Sequence, residues 1–310
     1  MSLVEKALKK LQETSRVPPA VDPAGTKTAL ARDLSAASAA PAPQVSVLPA
    51  TAVVKRVAPH HKVIEVNRDA LRAAGLLPPE HQERQISDEY RQIKRPLIAN
   101  AIGRGVPKVP NGHLIMTASA LPGEGKTFTS INLAFSLALE KDISVLLVDA
   151  DVPKPHISRI FGVDQEPGLL DVLTDESRDV ESLIVPTDVP GLSLLPVGRR
   201  SETATELLAS AHMERTVARL GAYDPGRIVL LDSPPLLLTS ESRALAGIVG
   251  QVVMVVKAGV TLQQAVLDAI SHLGENKSIG LVLNQCATTS AEGYYYGQSA
   301  YGDARSAQSP

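Results

Sequence analysis

Tryptophan is absent from this chain and cysteine occurs once, at Cys286. A single thiol excludes an intramolecular disulfide and points to a reducing compartment. No apolar run approaches the length needed to span a bilayer. The first residues have neither the apolar core nor the small-residue cleavage site of a secretory signal, so a cytoplasmic location is expected. The net charge is only −2 with the signs interspersed, which gives no reason to expect nucleic acid as a partner. Aromatic residues make up 3% of the chain, and none precedes Tyr90.

That last scarcity coincides with a shift in composition. Residues 15–84 are rich in alanine and hold nine of the 23 prolines. Such a segment buries too little apolar surface to offset its conformational entropy, and it is expected to be a mostly disordered tether. Two patches within it are more regular: Thr51 to Val57 alternates weakly like a strand, and Asn67 to Gly75 reads as a short helix stopped by the glycine. His60 and His61 are adjacent rather than one helical turn apart, which argues against a metal site. Upstream, residues 1–14 place Val4, Ala7, Leu8 and Leu11 on one face of an amphipathic helix. A helix this short is marginal alone, so its apolar face is expected to dock on a partner, on this protein or on anionic lipid.

A folded domain is expected over residues 85–290, followed by a flexible tail over 291–310. Hydrophobic residues make up 44% of the 310, ample for a core. The domain opens with a helix capped by Ser87, striped by Tyr90, Ile93, Leu97 and Ala101 and interrupted at Pro96. Asp88, Arg91 and Lys94 share its polar face.

The chain is organised around Ser119 to Thr127, reading Ser-Ala-Leu-Pro-Gly-Glu-Gly-Lys-Thr. An apolar run, Leu114 to Met116, precedes it, and a helical pattern through Ile131, Leu133, Ala134, Leu137 and Ala138 follows. Strand, glycine-rich loop and helix are the setting in which backbone N–H groups curl around a phosphate and a helix N-terminus adds partial positive charge. The nucleotide contacts expected from this loop are Pro122, Gly123, Glu124, Gly125, Lys126, Thr127 and Phe128. Lys126 reaches the terminal phosphates of ATP and the Thr127 hydroxyl ligates Mg²⁺. Ala120 stands where the general pattern has its first glycine, so Pro122 and Gly123 must help shape the turn.

Two further apolar runs end in carboxylates: Ile143 to Val148 runs into Asp149-Ala150-Asp151, and Arg227 to Leu231 runs into Asp232-Ser-Pro-Pro. Continuous hydrophobicity marks strands covered on both faces, as in a parallel sheet between helix layers, and ligands sit at the carboxyl ends of such strands. All three aspartates are therefore delivered to the edge where the phosphate loop lies. Gly168 to Thr174, Thr203 to Leu220 and Leu262 to Leu273 read as helices, and Leu192 to Pro196, Val252 to Val256 and Ile279 to Leu283 as strands. The alternation predicts an α/β fold of the P-loop nucleoside-triphosphatase type, a doubly wound, mainly parallel sheet with helices on both faces. Asn284, ending the last strand, is a candidate contact for adenine.

The phosphate loop, Asp149-Ala-Asp151, Asp232-Ser-Pro-Pro, the segment Gly198-Arg-Arg-Ser-Glu-Thr-Ala-Thr-Glu-Leu-Leu-Ala-Ser and a tyrosine-rich tail, in that order, resemble the bacterial tyrosine autokinases of exopolysaccharide export. The opening Met-Ser-Leu-Val-Glu-Lys-Ala-Leu resembles the exosortase-associated members. The resemblance implies that Lys126 and Thr127 bind ATP and Mg²⁺, that Asp151 and Asp232 hold the metal largely through water, and that Asp149 takes the proton of an incoming tyrosine. It also implies that Tyr294, Tyr295, Tyr296 and Tyr301 are phosphorylated in trans by a neighbouring subunit of a ring-like homo-oligomer. The family's Glu-x-x-Arg-x-x-Arg self-association motif is matched by Asp88, Arg91 and Lys94. The implied partners are a membrane chain-length regulator of polysaccharide export, which recruits the protein to the inner face of the cell membrane, and a tyrosine phosphatase. Where the family carries an arginine two residues after its second aspartate, this chain has Pro153, followed by Lys154. Two rival functions use the same fold: an ATP-binding assembly subunit without kinase activity, and a partition or cell-division ATPase, whose loop carries a lysine where this chain has Leu121.

Overall fold

The computed structural model describes residues 63–275 and 277–286. The helix expected over 1–14, most of the tether including its strand-like patch, His60 and His61, and the four tail tyrosines lie outside the described residues.

A seven-stranded sheet organises the fold. In chain order its strands are β1 (Leu114–Ser119), β2 (Ser144–Asp149), β3 (Val185–Pro186), β4 (Leu192–Leu195), β5 (Arg227–Asp232), β6 (Gln251–Lys257) and β7 (Ser278–Asn284). Their spatial order is β3-β4-β2-β5-β1-β6-β7. All pairs are parallel except β3 with β4. Parallel pairing requires crossovers, and these bring the ends of β1, β2 and β5 to one edge. Asp149 is in register with Asp232 across β2 and β5, and Thr117 with Asp232 across β1 and β5.

Successive side chains in the central strands point to opposite faces, which produces two cores. Ile115, Leu147, Leu230 and Val253 pack beneath α1 (Arg68–Ala73), α2 (Glu80–Ile102) and α3 (Lys126–Ala138). Met116, Leu146, Leu231 and Met254 pack against the other layer, which includes α5 (Leu169–Thr174), α6 (Ala204–Leu208), α7 (Ala211–Ala222), α8 (Ser240–Ile248) and α9 (Gln263–Ser271). The short α4 (His156–Ile160) joins the first core through Ile157. Burial on both faces explains why these strands read as continuous apolar runs.

Several expectations change. The folded body begins upstream of the boundary near Gln85. Ile64 bridges to Thr187, Asn67 caps α1 by accepting from the Ala70 N–H, and Leu71 and Leu77 are buried against the α3 side of the sheet. A few well-spaced apolar residues suffice to seat this segment, although its average composition resembles the tether upstream. Ser87 is not a cap but an interior residue of α2, which starts at Glu80 and runs through Pro96 without ending. Burial of Tyr90, Leu97, Ile98 and Ala101 holds that helix together despite the hydrogen bond that proline removes. The helix expected over 203–220 is divided in two, because Ser210 caps α7 by accepting from the Met213 N–H. Finally, β7 is an edge strand rather than a fully buried one, with Leu281 and Leu283 61% and 66% exposed.

Candidate functional site

The glycine-rich loop joins β1 to α3, as its pattern requires. Gly125 is the N-cap of α3 with φ 96° and ψ 27°, a left-handed conformation that favours glycine. A Cβ there would also collide with the Asn284 side chain. Beside the loop lies a cavity of about 720 Å³ lined by Pro122, Gly123, Gly125, Lys126, Thr127 and Phe128 from the loop and α3. Asp151, Lys154 and His156 form another wall, Pro234, Pro235 and Leu238 a third, and Asn284 and Gln285 close the β7 side. Gly75 and Leu76, from the turn after α1, also line it. That turn is fixed by Asn132 of α3, whose amide donates to the Leu76 carbonyl at 2.9 Å.

The three aspartates occupy different depths. Asp151 is in the cavity wall, whereas Asp149 and Asp232 are fully buried at the strand ends behind it. Asp232 accepts from the Thr127 and Ser130 hydroxyls, each at 2.8 Å. Burial pushes its carboxyl up to about 6, against the opposing pull of Lys126 and the two hydroxyls. Asp149 accepts from both the N–H and the hydroxyl of Ser158 at 2.7 Å through Oδ2, while its buried Oδ1 has no partner. Burial, reinforced by the charges of Asp232 and Asp151, pushes Asp149 up to about 7 despite the Ser158 bonds. Asp151 is also raised by burial, with Lys126 the main opposing influence. Lys126, itself buried, is thus the cation that opposes the rise at Asp232 and Asp151.

The donor set fits a hard divalent cation. Thr127, Asp151 and Asp232 offer oxygen only, and no group of three or more His, Cys, Asp or Glu among the described residues forms a metal cage. Such a set suits Mg²⁺, which keeps waters and takes further ligands from phosphates. The orphaned Asp149 Oδ1 is one more oxygen acceptor in the same region.

Some of the anticipated residues make contacts that their spacing did not indicate. The Glu124 carboxylate, 2% exposed, accepts from the Leu121 N–H at 2.7 Å and from the Thr261 hydroxyl, rather than facing the cavity. Asn284 lines the cavity, and its amide also donates to the Glu124 carbonyl at 2.9 Å. Lys94 does not share the exposed face of Asp88 and Arg91. It is 5% exposed and donates to the Ser136 carbonyl at 2.6 Å, with Glu140 2.7 Å away. A buried cation there answers the negative end of α3, whose last turn has no basic residue of its own. Asp88 and Arg91 are about half exposed and pair with each other. The sequence reading missed Ser130, Ser158, Thr261 and Gln285, small polar residues without a motif. Leu76 was signalled only by the apolar pair after the glycine stop of α1.

A phosphate loop on a doubly wound sheet, with lysine and carboxylates converging on one edge, defines a nucleotide-binding domain of the phosphate-loop class. Residues 112–275 match the family described as an AAA domain. YwqD of Bacillus subtilis, a tyrosine-protein kinase, is 31% identical over 214 residues, which cover 67% of this chain and 86% of YwqD. The chain therefore belongs to the bacterial tyrosine-protein kinases. The EpsB protein of Ralstonia nicotianae is 37% identical over 146 residues, but that match spans only 19% of its length. Among solved structures, the kinase domain of VpsO superposes with a TM-score of 0.55 at 28% identity, covering 67% of this chain and all of that one. No helix among the described residues is long and apolar enough to cross a membrane.

Proposed function

We propose that this protein is an ATP-dependent tyrosine autokinase that phosphorylates its own C-terminal tyrosine cluster, one copy acting on another, and thereby regulates exopolysaccharide polymerisation and export. The observation that carries this reading is the convergence of Lys126, Thr127 and three aspartates on one edge of the sheet, in a chain that also holds Tyr294, Tyr295, Tyr296 and Tyr301 close together.

Lys126 and the loop amides hold the phosphates of ATP, and Phe128, Leu76 and Asn284 bound the rest of the cavity. Thr127, with Asp151 and Asp232 acting largely through water, would hold Mg²⁺, which supplies charge neutralisation on the phosphates. The tyrosine oxygen bonds to the terminal phosphorus as the bond to the ADP oxygen breaks, and the phenolic proton passes to a carboxylate. Asp149 is the proposed acceptor, because its Oδ1 is unpartnered and a carboxyl pushed up to about 7 is matched to neutral pH. Asp151 is the second candidate, since it lies in the cavity wall and Asp149 behind it. The four tail tyrosines are set among Gly, Ser and Ala, and each added phosphate brings nearly two negative charges that repel the acidic edge. Asp88 and Arg91 are the proposed self-association contacts. The proposed external partners are a membrane chain-length regulator, which recruits the protein to the inner face of the cell membrane, and a tyrosine phosphatase.

Incubation of the purified protein with Mg-ATP, alone and with the regulator's cytoplasmic segment, tests the reading by anti-phosphotyrosine detection. Signal is expected in the wild type and not in Lys126→Met or in a chain ending at Ala291. Nucleotide binding without phosphotyrosine under both conditions would instead identify an ATP-binding assembly subunit.

A further inference from the structure

The loop that faces the phosphates contains a carboxylate, which is a liability beside a polyanion. Glu124 lies between Gly123 and Gly125, both of which line the cavity, yet its own side chain is 2% exposed and turned into the protein. Two donors hold it there: the Leu121 N–H at 2.7 Å, within the loop, and the hydroxyl of Thr261, which lies 137 residues away in the turn between β6 and α9. The loop backbone is tied on the same side. The amides of Asn284 and Gln285 donate to the Glu124 and Gly123 carbonyls at 2.9 and 3.1 Å. Because each peptide is planar and trans, fixing those two carbonyls fixes the Gly125 and Glu124 N–H groups in the opposite direction. Ser119 adds a bond to the Leu121 carbonyl at 2.7 Å. Ala120 replaces the glycine that ordinarily begins such a loop, and the turn is shaped instead by these contacts.

We infer that Thr261 is a positioning residue for nucleotide binding: its hydroxyl keeps the Glu124 carboxylate turned away from the phosphates and so preserves the geometry and sign of the phosphate loop. The inference rests on the nucleotide-binding reading of the same site. Without the hydroxyl, Glu124 keeps one donor in a buried position. A carboxylate short of donors turns toward solvent, and the cavity lined by the flanking Gly123 and Gly125 offers that outlet.

Affinity for a fluorescent ATP analogue with Mg²⁺ tests this on the full chain, with the melting temperature of the nucleotide-free protein as the fold control. Thr261→Val and Thr261→Ala are expected to weaken binding about tenfold, the effect of one hydrogen bond to a charged group. Thr261→Ser, which restores the donor, stays within about threefold of wild type. The deciding arm is Thr261→Val combined with Glu124→Gln. A neutral amide that turns into the cavity does not repel phosphate, so the second substitution recovers most of the lost affinity. A purely structural role for Thr261 predicts no such recovery. The inference is overturned if Thr261→Val and Thr261→Ala bind as wild type, if Thr261→Ser is as weak as they are, or if Glu124→Gln fails to rescue. Wild-type protein that binds no Mg-nucleotide would instead overturn the underlying reading of the site.

Discussion

The carboxyl edge of the sheet and the outer face of α2 both carry acids and bases at short spacing, but the two regions use charge in opposite ways. At the sheet edge, Asp149 and Asp232 are completely buried and their carboxyls are pushed up to about 7 and about 6, opposed by the Ser158 hydrogen bonds at Asp149 and chiefly by Lys126 at Asp232. On α2, Asp88 and Arg91 pair in solvent and are each about half exposed. Low dielectric magnifies every interaction at the first place, and water screens those at the second. Lys94 lies between these extremes, a buried cation that serves the packing of α2 on α3. Charge density in the sequence therefore says little about energetic weight until burial is known.

Substituting Asp149 tests the buried side most severely. Asp149→Asn is expected to lower the phosphotyrosine-forming rate by about 10²–10⁴-fold, measured under single-turnover conditions, while Mg-ATP affinity changes by no more than about threefold. If Asp151→Asn shows the larger fall in rate and Asp149→Asn little, the proton acceptor is the cavity-wall residue. The same buried groups also set a pH dependence. Their pKa values are raised on folding, so between about pH 4 and 7 the native state holds protons that the unfolded state has released. Stability of the nucleotide-free protein from these groups therefore falls as pH rises through that window and stays low above it. Asp149→Asn is expected to flatten the slope and to be more stable than wild type at pH 8 by about 1–3 kcal/mol, as read by urea unfolding. An unchanged slope would mean that Asp149 titrates normally.

Moving outward, Lys94→Met leaves the Ser136 carbonyl without its donor and is expected to destabilise the fold by about 1–3 kcal/mol. Chemical denaturation measures this, and a loss below about 0.5 kcal/mol would put Lys94 with the exposed pair. Arg91→Ala should give the smallest effect, within about 0.5 kcal/mol. Because its stability is so little affected, a change in sedimentation velocity for Arg91→Ala reports directly on contact between copies of the chain.

The order of strands and helices and the strand-end carboxylates were legible because a parallel sheet imposes them. Buried strands are continuous apolar runs, and the crossover rule brings Lys126, Asp149, Asp151 and Asp232 to one edge. What was not legible depends on partners remote in sequence. Nothing near Glu124 reveals that Thr261 draws its carboxylate inward, and helical spacing groups Lys94 with Arg91 until the position of α3 is known. The early start of the fold at residues 63–84 was obscured by averaging, since three or four apolar side chains set at the right places decide docking where bulk composition does not. The exposed side of β7 was misread because an edge strand and a central strand have equally apolar sequences, and only the sheet order distinguishes them.

The strand order also bears on how the protein is made. Leu114 at the start of β1 pairs with Val229 of β5, and Ile115 with Gln251 of β6. This interior strand, β1, is thus synthesised well before either neighbour, and at about 5–20 residues per second it waits many seconds on the ribosome without them. During that interval its apolar side chains and unpaired backbone are open to chaperones and to other nascent chains. The layout that gathers the candidate site at one end of the sheet therefore also leaves β1 unpaired for part of its synthesis.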